Sequence, residues 1–459
     1  MKQSLDIARE ELVGALPWGW EYTTLGEVCA RTGGDVQTGP FGSQLHAADY
    51  VPHGIPSIMP QDIGDNRVVR DGIAKITLED AERLKRYRVR PGDIVYSRRG
   101  DVERRALIRD AEDGWLCGTG CLRVRFGDEQ VNPVYASYYL GDPNVRAWIV
   151  RHAHGATMAN LNTAILSALP FVLPPLPEQR DIAHILCTLD DKIELNRRMN
   201  ETLQAMARAL FKSWFVDFDP VRAKAEGRDT GLPQPIAYIF PNSFEDSELG
   251  KIPKGWSVGP ILNTARLLSG GTPKTDHPEY WGGDICWASA KDVSQCADAF
   301  LVATERMITQ RGLEESATQL VPALSSAVVA RGATTGRMAL LGDAMAMNQT
   351  CYALESITGQ PFTLYCHLRQ EIDKLVHGAH GSVFDTITTS TFATSAVVLP
   401  AKAILLAFED NVGPLFHRIL TGTKESSTLA NLRDTLLPRL ISGELRVENA
   451  ERFVAEARV

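Results

Sequence analysis

The sequence predicts an α+β fold in which two homologous mixed α/β modules are separated by two long helices that form an antiparallel coiled coil. The first observation is an internal repeat, because residues 155–215 align without a gap on residues 381–441 at a constant offset of 226. The second is that short β-branched segments, punctuated by glycine and proline, precede the end of each copy. The third is an apolar stripe at coiled-coil spacing that closes each copy. Together they predict a pseudo-twofold internal repeat.

The repeat keeps one frame over its clearest stretch. Identical pairs include Gly155/Gly381, Thr163/Thr389, Leu189/Leu415, Ile193/Ile419 and Leu210/Leu436. Upstream, where the copies drift by a few residues, LPWGW at 16–20 matches IPKGW at 252–256, IPSIMPQDI at 55–63 matches ICWASAKDV at 285–293, and RRG at 98–100 matches ARG at 330–332. Two related modules in one chain suit two related half-sites of a divided target.

Turn signals and prolines mark the limits of the modules. RPGDIVYS at 90–97 and SSAVVARG at 325–332 are predicted to be strands that lead into turns. Proline-rich exits follow in FVLPPLPEQ at 171–179 and VVLPAKA at 397–403. We therefore expect an N-terminal extension over 1–15, a first module over 16–177 and a second module over 252–403.

After each exit the apolar spacing changes to that of a helix. The first seam advances by steps of three and four through Ile182, Leu186, Leu189, Ile193, Asn196, Asn200, Leu203, Ala207, Leu210 and Trp214. Adding 226 gives Phe408, Val412, Leu415, Ile419, Gly422, Ser426, Leu429, Arg433, Leu436 and Leu440. The seams predict a central spacer helix over 178–216 and a C-terminal spacer helix over 404–443, followed by a tail over 444–459.

The two seams are predicted to pack on each other. The 37 residues from Glu178 to Trp214 would extend ~55 Å as one helix, which suits a spacer between modules. The alternative is that each seam docks only on its own module. Proline removes a helical hydrogen bond and clashes with the preceding turn, so Pro414 and Pro438 are expected to bend or delimit the second helix. Residues 217–251, rich in proline, glycine and charge, are expected to form a linker.

Composition excludes several classes of protein. A chain of 459 residues is too long for one ordinary core, and its 44% hydrophobic content can supply two. No run of 18 apolar residues is present, since Pro400 and Lys402 interrupt AVVLPAKAILLAF, and no secretory signal is recognisable. We expect a cytoplasmic protein with no membrane partner. The eight cysteines form no CxxC pair, which favours buried reduced thiols over a metal site.

Charge points to a local rather than a general interaction with nucleic acid. A net charge of −8 argues against a protein that coats nucleic acid indiscriminately. Between Arg83 and Arg109, however, ten Arg or Lys residues face three acids, a local surplus of seven. Such a surplus is typical of phosphate contact. The alternative is an ordinary solvated surface.

These features together resemble the specificity subunit of type I restriction-modification systems. The residues that carry the resemblance are the Gly-Trp starts at Trp20 and Trp256, LPPLPEQ at 173–179, LFKSWFVDFDPV at 210–221 and LANLRDTLLPRLISGEL at 429–445. The resemblance covers nearly the whole chain. It implies two target-recognition domains that each recognise one half of a split double-stranded DNA sequence, held apart by the two repeated helices.

The resemblance also implies partners and their cofactors. It implies two methylation subunits, which use S-adenosylmethionine to modify adenines, and restriction subunits, which use ATP and Mg²⁺ to translocate and cleave DNA. The subunit itself is expected to bind no cofactor and to be non-catalytic. NPVY at 132–135 lacks the second proline of an amino-methyltransferase motif, and in GGTPKT at 270–275 Pro273 replaces the last glycine of a P-loop.

Candidate DNA-contacting residues lie in loops that combine glycine or proline with hydrogen-bonding side chains. The loops are 38–44, 59–62, 97–105 and 154–162 in the first module, and 269–275, 289–292, 330–337 and 380–388 in the second. The predicted DNA-binding residues are Gln44, Gln61, Arg98, Arg99, Arg104, Arg105, Lys274, Lys291, Arg331 and Thr334. Because Arg99 and Arg331 are shared by the two copies, they suit contact with the DNA phosphate backbone better than discrimination between bases. The alternative for this pair is a salt bridge common to both copies.

Two other functions remain as alternatives. A single-chain methyltransferase would have to bind its cofactor unaided. A coiled-coil scaffold without DNA recognition is mildly favoured by a basic patch that occurs in only one module.

Overall fold

The computed structural model describes residues 16–127, 130–153, 159–378 and 386–447. Contacts divide the chain into two compact units, residues 1–191 with 429–459 and residues 192–428. The expected N-terminal extension over 1–15 and most of the expected tail lie outside the described residues. Both units contain helices and sheets, as the sequence predicts.

Unit 1 is built from short strands and helices. Its strands are β1 Glu21–Thr24, β2 Asp35–Thr38, β3 Tyr50–Val51, β4 Ile55–Ile58, β5 Lys75–Ile76, β6 Ile94–Ser97, β7 Arg105–Leu107, β8 Leu116–Cys117, β9 Cys121–Arg125 and β10 Pro170–Leu173. Its helices are α1 Leu25–Thr32, α2 Leu78–Arg83, α3 Pro133–Tyr139, α4 Pro143–His152 and α5 Thr163–Ser167. They are followed by α6 Leu176–Phe215, which continues into unit 2.

Unit 2 repeats the same kind of structure. Its shorter helices are α7 Asp219–Ala225, α8 Gln234–Ile239, α9 Ala290–Gln295, α10 Gln310–Glu314, α11 Pro361–Gly378 and α12 Thr389–Thr394. Its strands are β11 Phe244–Ser247, β12 Gly250–Pro253, β13 Ser257–Pro260, β14 Ala265–Ser269, β15 Trp281–Ala288, β16 Phe300–Leu301, β17 Arg306–Ile308, β18 Ser326–Val329, β19 Met338–Leu341, β20 Ala346–Met347, β21 Cys351–Ser356 and β22 Ala396–Leu399. The last helix is α13 Lys402–Ile441.

Sheet order shows that the two units share a common topology, although β16 is an additional edge strand in unit 2 and β3 is an additional strand in unit 1. In unit 1 the strands are ordered β2-β9-β6-β7, β3-β5-β4-β8 and β1-β10. Unit 2 has the corresponding orders β14-β21-β18-β19-β16, β17-β15-β20 and β13-β22. In both units the predicted strand before the turn, β6 or β18, is central and fully buried. A strand near the start of each module pairs antiparallel with the module's last strand, β1 with β10 and β13 with β22, so each proline-marked exit lies beside the start of its module.

Two helices of 40 residues each carry the predicted seams. In unit 1, Leu436 and Leu440 of α13 are fully buried in the same core as Ile182 and Leu186 of α6. There the Arg433 guanidinium lies 2.6 Å from the Asp190 carboxylate. In unit 2, the Asn196 amide of α6 donates hydrogen bonds to the Gly422 carbonyl at 3.4 Å and the Ser426 hydroxyl at 3.3 Å, both on α13. The helices therefore pair antiparallel, and docking only on their own modules is excluded.

Of the two effects expected of Pro414 and Pro438, a bend or an end of the second helix, the end is not observed. Helix α13 continues through both Pro414 and Pro438. Buried residues flank Pro414, with Val412 fully buried before it and Phe416 almost fully buried after it. Burying side chains of this kind contributes about 1.5–3 kcal/mol each, so the two together match or exceed the ~3 kcal/mol cost of an interior proline.

The segment over 217–251, expected to form a linker, contains secondary structure and buried side chains. It contains α7, α8, β11 and part of β12, and Phe218, Val221 and Phe240 are buried in the unit 2 core. Trp214 meets Phe240 edge-to-face, with ring centroids 5.0 Å apart. The segment is thus a packed part of unit 2. Its proline and glycine content reflects short helices and turns.

All eight cysteines are free, and five of them are buried. Cys187, Cys286 and Cys296 are only partly buried, so the expectation of buried thiols is met in part. Within the described ranges, none of the helices combines the length and apolar character that a membrane crossing needs.

Candidate DNA interface

The turns after β6 and β18 are held by equivalent backbone hydrogen bonds. The Arg98 nitrogen donates to the Gly120 carbonyl at 2.8 Å, and the Arg98 carbonyl accepts from the Leu161 nitrogen at 2.9 Å. The equivalent bonds of unit 2, both 2.8 Å, join Ala330 to Thr350 and Ile387. The backbone frame is therefore the same in both units, whereas the side chain at its first position is arginine in one and alanine in the other.

The second position of each turn is an exposed arginine. Arg99 forms an antiparallel bridge with Asn160, and Arg331 forms one with Thr386. The glycine after each arginine has a positive φ, 75° and 100°, which a residue with a Cβ rarely adopts. Neither guanidinium has an ion-pair partner among the residues that the structure describes. The feature common to both copies is thus a backbone bridge, not the alternative of a shared salt bridge.

A carboxylate holds a second pair of equivalent loops. Asp62 accepts a hydrogen bond from the Met59 nitrogen, and Asp292 accepts one from the Ser289 nitrogen, each at 2.8 Å. Burial raises the pKa of Asp62. The preceding residue is exposed in both units, Gln61 in one and Lys291 in the other. A shared framework residue therefore presents a different polar side chain in each unit.

In unit 1 these loops meet around Arg98. Gly120, whose carbonyl binds the Arg98 nitrogen, packs on the ring of Pro60, where an added Cβ would come within 3.2 Å. The Arg98 guanidinium carbon lies 5.9 Å from the ring centroid of Phe41, an exposed residue of the 38–44 loop. The structure thus brings together Gln44, Gln61, Arg98 and Arg99, the unit 1 surface.

Phe41 was not among the predicted contact residues, although an apolar residue between glycines in TGPFGSQ is a usable signal. Gln44 has a structural role as well, because its amide oxygen accepts hydrogen bonds from the Tyr87 hydroxyl at 2.8 Å and the Phe41 nitrogen at 3.2 Å. The side-chain Nε of Arg98 is buried without a hydrogen-bond partner in the described structure.

In unit 2 three of the corresponding residues, Thr334, Lys291 and Lys274, contact neighbouring side chains. The Thr334 hydroxyl accepts a hydrogen bond at 2.7 Å from Ser294 of α9, the helix that carries Lys291. Lys291 lies 2.6 Å from Glu305, and this hydrogen bond raises the pKa of the Lys291 ammonium. The Lys274 carbonyl accepts from the Trp281 indole at 3.2 Å. Lys274, Lys291, Arg331 and Thr334 form the unit 2 surface.

Arg105 does not lie at a surface. It is 7% exposed, and its Nε donates to the Ser137 carbonyl at 2.7 Å. Burial lowers the pKa of its guanidinium. On β7 the side chains alternate between faces, and Arg105 points inward against α3. Its neighbour Arg104 is exposed, 3.9 Å from the Asp101 carboxylate.

The basic stretch carries less free charge than the residue count over 83–109 indicates. Arg83 lies 2.6 Å from Asp80, and Lys85 lies 3.2 Å from Glu82. Both acids precede the counted segment. Arg98 and Arg99 are therefore a better candidate for phosphate contact than the stretch as a whole.

Two of the other predicted loops are only partly described by the structure, and the NPVY motif caps a helix. Residues 154–158 and 380–385 of two candidate loops lie outside the described residues. Asn132 of NPVY caps α3, because its side-chain oxygen accepts from the Val134 nitrogen at 2.9 Å. Among the described residues, no group of three or more His, Cys, Asp or Glu side chains could hold a metal ion.

Comparison with known proteins gives a consistent match. The family model "Type I restriction modification DNA specificity domain" matches residues 17–205 and 253–404. The chain is 26% identical over 432 residues to the type I restriction enzyme HindI specificity subunit of Haemophilus influenzae, covering 84% of this chain and 93% of that protein.

A second relative is the MjaIX specificity subunit of Methanocaldococcus jannaschii, 24% identical over 462 residues with 96% of each chain covered. Among solved structures, the S subunit of a type I restriction-modification system from M. genitalium matches with a TM-score of 0.57 and 14% identity, covering 94% of this chain and 97% of that one. This likeness supports the fold.

Proposed function

The chain belongs to the family of type I restriction-modification DNA specificity proteins, and from this membership we propose that it recognises a bipartite double-stranded DNA target and assembles the complex that acts there. One half-site is assigned to the module over 16–177 and the other to the module over 252–403. Members of this family are the DNA-recognition subunits of type I restriction enzymes, so this chain is not itself an enzyme.

The observation that carries this proposal is a shared backbone frame that holds different side chains in the two units. Equivalent hydrogen bonds hold the turns at Arg98 and Ala330, and equivalent aspartates hold the loops at Gln61 and Lys291. Residues that recognise different bases have to differ between modules, whereas residues that position the DNA backbone can stay alike. A coiled-coil scaffold would not require this pattern.

The partners of the proposed complex follow from the family. They are two methylation subunits that use S-adenosylmethionine to modify adenines, and restriction subunits that use ATP and Mg²⁺ to translocate and cleave DNA. This chain would supply the DNA sequence preference and a docking platform for them. Neither the cofactors nor the reactions are assigned to residues of this chain.

A module exchange tests the proposal. Residues 16–174, which include the paired strands β1 and β10, are replaced by the corresponding module of a relative, and cells that carry the variant with its methylation partner are analysed by methylome sequencing. One half of the methylated motif should change and the other should remain. No bipartite adenine motif in cells with the native chain would favour the scaffold, and a simultaneous change of both halves would exclude independent modules.

A further inference from the structure

Two tryptophans and one arginine form a stack next to the unit 2 surface. Arg306 of β17 is the register partner of Trp287 on β15. Its guanidinium carbon lies 3.4 Å from the ring centroid of Trp281 and 5.7 Å from that of Trp287. The two indoles meet edge-to-face at 5.2 Å. Arg306 is an exposed residue, and its planar cation is held against an aromatic surface.

A bulge in β15 makes the stack possible. Trp281 and Ile285 both pair with Ile308, so the residues between them are extra, and Gly282 there has a φ of 79°. A bulge of this kind re-aims a side chain. The Trp287 indole donates to the Gly271 carbonyl at 3.0 Å, and the Trp281 indole donates to the Lys274 carbonyl. The loop that carries Lys274 therefore fixes both rings.

The hydrogen-bond donors of Arg306 are not used by a neighbouring acid. No residue in the described ranges forms an ion pair with it. Its sequence neighbour Glu305 is bound by Lys291 at 2.6 Å, and the Glu305 nitrogen donates to Asp292 at 2.9 Å. By contrast, Arg311 of the same unit is paired with Glu315 at 3.0 Å.

Among the described residues of unit 1, the equivalent positions form no such stack. Ile55 pairs with Ile76 as Ile285 pairs with Ile308, so the position of Arg306 corresponds to Ala74. Likewise, the aligned motifs place Ser57 at the position of Trp287. A feature needed for the common fold would occur in both copies, whereas a feature that distinguishes their targets would occur in one.

We propose that Arg306 contacts a base edge in the half-site assigned to unit 2, and that this base is guanine; the inference rests on the proposed function of the chain. Arginine donates two parallel hydrogen bonds to O6 and N7 of guanine in the major groove. Stacking on Trp281 pre-orients this pair of donors. A phosphate contact depends mainly on charge and does not require such an arrangement.

The test uses the full chain with its methylation subunits and DNA duplexes that carry the motif found by methylome sequencing. Binding is measured for the native motif and for single base-pair changes across the second half-site. Arg306→Ala should lose roughly 10- to 100-fold discrimination at one G·C pair, and Arg306→Lys should not restore it because lysine lacks the planar fork. Arg311→Ala, which removes a paired arginine of the same unit, should leave discrimination intact.

Other outcomes overturn the inference. Equal weakening on every duplex, restored by lysine, would make Arg306 a phosphate contact, and unchanged binding would make the stack purely structural. Discrimination at the first half-site, measured in parallel, reports that the variant is folded. If the native complex recognises no bipartite motif, the proposed function itself fails; if it does and the Arg306 variants match it at every position, only this inference fails.

Discussion

Asn196 of α6 donates a hydrogen bond to the carbonyl oxygen of Gly422 on α13 at 3.4 Å, although the two residues are the same position of the internal repeat, since 422 − 196 = 226. A position that faces its own copy lies at the local symmetry axis of an antiparallel pair. The Asn196 amide also donates to Glu425 at 2.9 Å, and the Asn200 amide donates to Thr423 at 3.1 Å. These buried amides interrupt the apolar seam where a slip in register would separate them from their partners.

Asn196→Ala should lower the stability of the helix pair by about 1 kcal/mol, because its buried hydrogen bonds are lost. The midpoint of urea unfolding, followed by circular dichroism, measures the change. Asn411→Ala is the matched control, since Asn411 is exposed on α13 and its amide bonds only within its own helix; its effect should stay within ~0.5 kcal/mol. Equal shifts in the two variants would show that the Asn196 contacts add nothing.

Lengthening both helices should widen the gap between half-sites without changing either one. Four residues inserted after Asn196 and four after Gly422 add ~6 Å to each helix, and DNA rises ~3.4 Å per base pair. Methylome sequencing should therefore show a gap longer by about one or two base pairs. The same insertion after Arg228, in an exposed turn outside both helices, should leave the gap as it is. An unchanged gap in the helix variant would refute the role of the helices as a ruler.

Arg99→Ala and Arg331→Ala should each reduce the salt dependence of DNA binding. Each lost phosphate contact lowers the log–log salt slope by roughly 0.9, and the loss of affinity should be similar for all sequences. Titrations at several salt concentrations measure the slope. Arg31→Ala, which removes an exposed arginine 2.6 Å from Glu21, serves as the control. A loss of affinity confined to certain base pairs would instead assign Arg99 or Arg331 to base recognition.

Unit 2 should lose stability as the pH falls from 6.5 to 4. His367 is partly buried, its ring lies edge-to-face against Phe211 with centroids 4.8 Å apart, and desolvation lowers its pKa from 6.5 to about 4. Between these pH values the unfolded chain binds a proton at His367 that the folded chain does not. The contribution of neutral His367 to the free energy of unfolding is therefore fully present above pH 6.5 and falls by up to ~1.4 kcal/mol per pH unit below it. In urea unfolding from pH 7 to 4.5, His367→Gln should show a shallower decline, whereas replacing exposed His184 should not. Parallel curves for native chain and His367 variant would contradict this.

The fold is largely predictable because duplication and periodicity are sequence properties. The gapless offset predicts two copies, and the seam at Asn196 and Asn200 predicts a helix pair in fixed register. The packing of residues 217–251 is not predictable from local composition, because the burial of Phe218 and Phe240 depends on partners such as Trp214 and Trp256 in other segments. Helix α13 runs through Pro414 because tertiary packing outweighs local propensity, which sequence-local rules do not weigh.

The candidate interface is less predictable. Motif alignment locates the turns at Arg99 and Arg331, but it does not distinguish Arg104 from Arg105, and only the fold shows that Arg105 is internal. The Arg306 stack depends on a bulge that brings Trp281 over a residue 25 positions away. No local spacing rule encodes that contact.

The packing of Leu436 and Leu440 against Ile182 and Leu186 has a consequence for biosynthesis. Residues 192–428 are translated between Asp191 and the segment from Leu429 onward that completes the first core. At a translation rate of ~5–20 residues per second, the nascent first module waits roughly 10 to 50 seconds with an apolar face uncovered. A chaperone can act in that interval, and a premature stop codon shortly before Leu429 would disable the module nearest the amino terminus. The first module can therefore complete its core only after the segment from Leu429 onward has emerged from the ribosome.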